Sequence, residues 1–435
     1  EFPHNHYFIH KGVVAWDRLT IKPHYPEMKK AFQWISTEMT EPSTGSFRIR
    51  NKYQFISLAG FEASWSLTEN GQEIGKGNLY LPRIEAGREG RVQIPYKIMQ
   101  PKPGAEYFVR ISYTLRDKAL WADKGFEVAS AQFKLPVNTL SETETVAAQP
   151  VKLTQTASLI TIGGQEFSVA FDRKSGLMTQ LAVKGKNLLA AQGSPVLHLW
   201  RAPHRNDDNW VYSIAGRYGI DSLKYTLVDI KTEVTGPEEV KVISTLKANG
   251  KEGFGVYHTA TYLIRGDGSV RVDNRVQFVG LPVNLARIGV RMLLDKRLDR
   301  MAFFGRGPLE NYADRKSGSD IGLYELDVNG QYEYEKPMER GNHEEVRWAK
   351  LSGKEMPSLL FKSDEKGMQV SALPHTDEQM VPVEYKIDLP ASSSTVLCLS
   401  SRTCGVGSAS CGPRPLDKYL VPAENTSFTY TIKLL

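Results

Sequence analysis

Apolar and polar residues alternate with a period of two along most of this chain, the pattern of strands that bury one face. Trp65 and Leu67 alternate with Ser64, Ser66 and Thr68, and Asn70-Gly71 then supplies the residue pair a tight hairpin turn requires. Val109, Ile111, Tyr113 and Leu115 alternate with Arg110, Ser112 and Thr114, and Ala129, Ala131, Phe133 and Leu135 repeat the pattern. Arg48, Arg50 and Lys52, with Phe47 and Ile49 between them, place their charges on one solvated strand face. Short half-buried strands of this kind predict a β-sandwich over residues 36–138. Residues 139–150 carry no apolar period and read as a linker. Beyond them the strand pattern resumes. Phe167, Val169 and Phe171 precede a turn at Lys174-Ser175-Gly176, and Tyr257 to Phe278 reads as two strands around Asp267-Gly268. Leu285–Leu294 and Val396–Ser400 are further strands, and residues 151–435 together predict a large two-sheet structure. One helix is predicted, from Met28, Ala31, Phe32 and Ile35 at i, i+3, i+4 and i+7 after Pro26. Strands never alternate with amphipathic helices, so a (β/α)8 barrel is not expected.

Composition changes this picture little. With 435 residues, 41% of them hydrophobic and 24% charged, the chain reads as a soluble globular protein of two or three domains. No apolar run approaches the roughly 20 residues of a membrane span. No charged-then-apolar leader opens the chain. The expected setting is soluble, cytoplasmic or periplasmic. The net charge of +6 is scattered, and no nucleic-acid partner is predicted. Cys398, Cys404 and Cys411 do not match common zinc spacings and read as free, mostly buried thiols, with a disulfide between two of them open to an exported protein.

The densest chemistry lies at residues 305–315, Gly-Arg-Gly-Pro-Leu-Glu-Asn-Tyr-Ala-Asp-Arg. So many polar groups behind a tight turn suit a buried polar corner, where each group needs a partner, and Arg315 is placed to pair with Glu310 or Asp314. The run resembles the Gly-x-Gly-Pro-x-Glu-Asn-Tyr-x-Asp-Arg signature in the C-terminal domain of the large β-galactosidases of glycoside hydrolase family 2. Other segments are similar to the same family in the same order. Phe8-Ile-His-Lys-Gly-Val-Val-Ala-Trp-Asp-Arg18 resembles the segment leaving the family's catalytic barrel, and Lys22-Pro23, Tyr25, Glu27 and Lys29-Lys30 resemble its continuation. Residues 78–96 resemble the family's sandwich domain. Then come Phe171–Gly176, Trp200–Pro203, Arg287–Gly289, Gly341–His343 with Val346–Trp348, and Gly405–Gly407.

The resemblance implies an all-β fold, an immunoglobulin-like β-sandwich followed by a galactose-mutarotase-like supersandwich. It divides the chain into a barrel end with a connecting helix (1–35), the sandwich (36–138), the linker (139–150) and the small-chain supersandwich (151–435). It implies that the intact enzyme hydrolyses terminal β-D-galactosyl groups with retention, using two glutamates on a barrel this chain lacks. The chain alone is therefore expected to be inactive, with no catalytic residue of its own. Its expected partners are the barrel of the same polypeptide, a β-galactoside in the intact enzyme, and a second copy in a homo-oligomer. The alternative is a free-standing carbohydrate-binding or structural assembly module on the same scaffold.

Pocket residues are carried over position by position. Asn206 and Asp207 match the family's Asn-Asp pair, while Arg205 and Asn209 stand where the family has Asp and Gly. Asn209, Trp210 and the residues up to Gly219 then form a loop partly lining the sugar pocket. Cys411, beside Gly412, stands where many members carry a sugar-stacking tryptophan, and a thiol offers no such face. Phe8 matches a residue whose backbone carbonyl helps hold sodium, but Lys11 replaces the family's Asn ligand, and an ammonium cannot ligate a cation. Magnesium and sodium are expected of the intact enzyme, with no complete metal site and no cofactor in this segment. A mutarotase-like reading would use His343 or His375 with a carboxylate facing a sugar-sized cleft.

Overall fold

In the computed structural model, residues 12–137, 149–203, 211–364, 367–407 and 414–435 are described. The chain forms two compact units. One comprises His24–Thr145 with Ser317–Leu323, and the other comprises Glu1–Pro23, Val146–Lys316 and Tyr324–Leu435.

The smaller unit is a β-sandwich of two antiparallel sheets. Ile35–Glu41, Ser46–Asn51 and Glu89–Gln93 form one sheet, and Gln72–Leu79, Phe61–Glu69, Tyr107–Leu115 and Glu127–Lys134 the other. Alternation decides which side chains go inside. Phe47 and Ile49 are buried with Ile111 and Tyr113, while Arg48, Arg50 and Lys52 are exposed. Asn70 and Gly71 take φ of 49° and 84°, the left-handed pair that lets a two-residue loop follow the strand twist.

The predicted helix is shorter than its period suggested. It spans Tyr25–Phe32 and buries none of its residues, and Gln33 turns to extended backbone. Ile35 belongs instead to the first strand, opposite Asn51, where its side chain is buried. A helix of eight residues cannot carry an i to i+7 stripe and a strand start together. Sheet pairing takes Ile35 because it fills the sandwich core.

The larger unit holds a nine-stranded antiparallel sheet. It runs in the order Thr226–Gly236, Glu239–Asn249, Gly255–Arg265, Ser269–Val279, Thr426–Leu434, Leu359–Ser363, Trp348–Ser352, Arg300–Gly307, Asp320–Asp327. A five-stranded sheet follows the order Val196–His198, Arg287–Asp295, Ser394–Thr403, Met368–Leu373, His343–Val346. A second five-stranded sheet runs from Lys152–Gln155 to Lys186–Asn187. One core joins the three through Phe171, Tyr262, Val290, Leu397, Phe361 and Ile432. The fold is all-β, as expected. The predicted hairpins at 174–176 and 267–268 are present, with Gly176 and Gly268 at φ of 73° and 78°. The loop expected from Asn209 to Gly219 is instead largely a helix, Val211–Tyr218, and a further short helix, Asp377–Met380, lies outside the sequence expectation. Among the described residues, no helix is long and apolar enough to cross a membrane.

Candidate functional site

The 305–315 run folds into the polar corner its composition demanded. Gly307-Pro308 is a cis peptide. Asn311 then engages the surrounding backbone with its whole amide. Its Nδ2 donates to the carbonyls of Arg306 and Leu309, each at 3.0 Å, and its Oδ1 accepts from the Glu344 amide at 2.8 Å. Asn342 returns the arrangement by donating to the Asn311 carbonyl at 2.8 Å. Glu310 is buried and accepts from Arg315 at 2.7 Å, Tyr334 at 2.7 Å and the Gly341 amide at 2.6 Å. Burial raises the proton affinity of that carboxyl, but the Arg315 charge and the converging donors outweigh it. The Glu310 pKa falls below the usual range and the group stays ionised. Of the two expected partners for Arg315, the structure selects Glu310. Asp314 instead accepts from the Val406 amide at 2.9 Å.

A second cluster was not visible in the sequence. Asp377, at the start of its short helix, accepts from His198 Nε2 at 2.8 Å, from Arg291 at 3.2 Å and from the Ala202 amide at 2.6 Å. Burial would raise the Asp377 pKa, yet the His198 hydrogen bond and the charges of Arg287 and Arg291 hold it well below the carboxylate range. Burial, then the charge of Arg291, pushes His198 down to about 4. Near neutral pH the pair is thus a neutral imidazole donating to a carboxylate. Beside it, Arg287 pairs with Glu339, which also accepts from Tyr312 at 3.2 Å. Arg287 was marked by its motif. Nothing in the sequence around Asp377 announced its role, because its partners lie on distant strands.

Arg201 connects these clusters to the predicted pocket segments. It is fully buried, and its guanidinium donates to the carbonyls of Cys404 at 2.8 Å and Gly405 at 2.9 Å. Ala202 is held by Asp377, and its carbonyl accepts from the Glu339 amide at 3.0 Å. Val406 is held by Asp314. The described chain leading into 204–210 and the chain leading into 408–413 therefore meet at one guanidinium. Asn206, Asp207, Asn209, Trp210, Cys411 and Gly412 themselves lie outside the described residues, as do Phe8 and Lys11. Cys398 is a free, buried thiol that burial pushes up to about 11, and Cys404 is buried as well.

Among the described residues, the hydrogen bonds of His343 and His375 go to backbone carbonyls and not to carboxylates. His343 bonds through Nδ1 to the Arg306 carbonyl at 3.1 Å, and its other ring nitrogen is buried without a hydrogen-bond partner among the described residues. His375 bonds to the Pro390 carbonyl at 2.8 Å. Among the described residues, neither forms the hydrogen-bonded His–carboxylate pair of the mutarotase-like reading. Among the described residues, no group of three or more His, Cys, Asp or Glu side chains could hold a metal ion.

The family description "Beta galactosidase small chain" matches residues 163–434. The chain belongs to this family. Residues 47–136 match a second description, "Beta-galactosidase, domain 4", and coincide with most of the smaller unit. A beta-galactosidase of Priestia megaterium is 26% identical over 99% of this chain and 41% of its own length. One of Kluyveromyces lactis is 24% identical over 98% of this chain and 40% of its own length. This member of the small-chain family thus spans about two fifths of the curated relatives it matches. Among solved structures, galactose 1-epimerase of Lactobacillus acidophilus NCFM covers 66% of this chain and 99% of its own, with TM-score 0.35 and 11% identity.

Proposed function

We propose that this chain is the C-terminal, non-catalytic part of a β-galactosidase that hydrolyses terminal β-D-galactosyl groups with retention. The observation that carries the reading is coverage. Relatives with that activity in their names match 98–99% of this chain with only 40–41% of their own length. A retaining glycosidase needs two carboxyl groups about 5–5.5 Å apart, one free to exchange a proton and one free to attack the sugar. The buried carboxylates of the polar corner and its neighbour, Glu310, Glu339, Glu344 and Asp377, are instead committed to guanidinium, imidazole, hydroxyl, amide and backbone donors. In this reading the absent barrel supplies both glutamates. The segments rooted at Arg201 line part of the sugar pocket, and the remainder buttresses the barrel.

The purified chain is assayed alone with o-nitrophenyl β-D-galactoside, and again within the longer polypeptide that places a barrel before Phe8. Turnover is expected only from the longer polypeptide. Hydrolysis by the isolated chain, free of contaminating enzyme, overturns the reading. So does a longer polypeptide that contains no barrel.

A further inference from the structure

Away from the Arg201 corner, a cleft of about 500 Å³ is lined from both the nine-stranded and the five-stranded sheets. It lies where each sheet runs out of a pairing strand. Thr426–Leu434 pairs with Leu359–Ser363 only as far as Tyr430 opposite Ser363, so Thr426–Thr429 have no strand neighbour on that side. Ser394–Thr403 pairs with Met368–Leu373 only as far as Ser400 opposite Gln369, leaving Ser401–Thr403 in the same condition. Open strand edges carry backbone donors and acceptors that require a partner. The side chains repeat that demand. Tyr430 also lines the cleft, but it is 2% exposed and its hydroxyl is buried in the core shared by the sheets, so the accessible demand comes from the side chains around it. Arg402 is exposed and has no ion pair among the described residues, while Arg271 is engaged by Asp273 and Asp364. Ser427 adds a hydroxyl at the rim, and half-buried Phe428 an apolar ring.

This is the donor set of a sugar site. Hydroxyls that both donate and accept suit mixed backbone edges, Ser and Thr hydroxyls and an Arg–Asp pair, and a pyranose C–H face suits an aromatic ring. A phosphate or sulfate would require a cluster of uncommitted cations, and of the two arginines lining the cleft only Arg402 is uncommitted among the described residues. The volume falls in the roughly 300–1,000 Å³ range of small-ligand clefts. We infer that this inter-sheet cleft binds a neutral mono- or disaccharide, at a site separate from the pocket segments rooted at Arg201 and independent of whether a barrel completes the enzyme.

Saturation-transfer NMR on the isolated chain with lactose, maltose and methyl β-D-galactopyranoside tests this, with inorganic phosphate as the anion control. At least one of the three sugars is expected to bind. Arg402→Ala and Ser427→Trp, both at exposed positions, are each expected to weaken that binding at least tenfold. In the unmodified protein, the bound sugar is expected to slow phenylglyoxal labelling of Arg402, read by mass spectrometry, by a similar factor. Absence of signal from all three sugars overturns the proposal. So does binding that ignores both substitutions and leaves Arg402 labelling unchanged, or phosphate binding in place of sugar.

Discussion

Arg201 shows how much one side chain organises here. Its guanidinium donates to the Cys404 and Gly405 carbonyls, and both bonds are buried. Arg201→Met removes both donors from a buried site, where each unpaired carbonyl costs about 1–3 kcal/mol. The expected loss is roughly 3 kcal/mol in urea unfolding, with Arg201→Lys restoring less than half because an ammonium lacks the planar fork. Histidines set a second expectation. Burial pushes His258 and His343 down to about 4, and burial with Arg291 does the same to His198, against about 6.5 in an unfolded chain. Between those values the unfolded state binds more protons than the folded one, so stability is full above about pH 6.5 and drains away as pH falls towards 4. The gap is worth roughly 3 kcal/mol per histidine at its limit. Glu344 works the other way. Burial raises its pKa, so its contribution is lost as pH rises through the folded value. Melting temperatures between pH 7.5 and 4.5 are expected to fall on acidification, and less steeply in His258→Gln, which keeps a donor towards Asn274 Oδ1. An unchanged slope in that variant would remove His258 from the account.

At the scale of elements, turns are where single residues are decisive. Gly176 sits at φ 73°, and a Cβ there would lie 2.4 Å from Leu227 Cδ1 and 2.8 Å from Ser244 Oγ. Ser244 donates to the Gly176 carbonyl at 2.7 Å, so the turn is also pinned to the nine-stranded sheet. Gly176→Ala therefore meets both a strained backbone and a filled space. A loss of about 2–4 kcal/mol is expected in chemical denaturation, against about 1 kcal/mol or less for Gly87→Ala, where φ is also positive but the space is open. Such turns, with the alternation on either side of them, were legible from sequence because both signals are local. The helix Val211–Tyr218 was missed because only part of it carries an apolar stripe, with Ala215 buried beside Ile220 in a small satellite core. The helix Asp377–Met380 was missed because four residues hold no period, although its Thr376 and Gln379 form a capping box that could have revealed it. In the polar corner, the Glu310–Arg315 pair was readable because its members are five residues apart. His198 with Asp377 is separated by 179 residues and joined only by the order of strands.

For the whole molecule, the decisive distinction is between carboxylates that hold the fold and carboxylates that break bonds. Glu310 receives three donors and stays ionised, and Glu339 is paired with Arg287 and Tyr312, so both are engaged by groups of the fold itself. A catalytic glutamate must have the opposite surroundings, since its role requires a change of protonation or a covalent bond during turnover. In the complete enzyme of the proposed reading, Glu310→Gln puts an amide NH2 where only donors converge and leaves the Arg315 charge without its partner. The expected cost is about 3–5 kcal/mol of stability. At a temperature where the variant is folded, kcat on o-nitrophenyl β-D-galactoside is expected to stay within about tenfold of the parent, because the chemistry lies elsewhere. Glu339→Gln obeys the same logic through Arg287. Loss of a reacting group costs several orders of magnitude in rate, typically without a matching loss of folding. A Glu310 or Glu339 variant that melts normally yet loses about 10⁴-fold in kcat would place the reacting acid within this chain, and the division between a catalytic barrel and a supporting β-structure would fail with it.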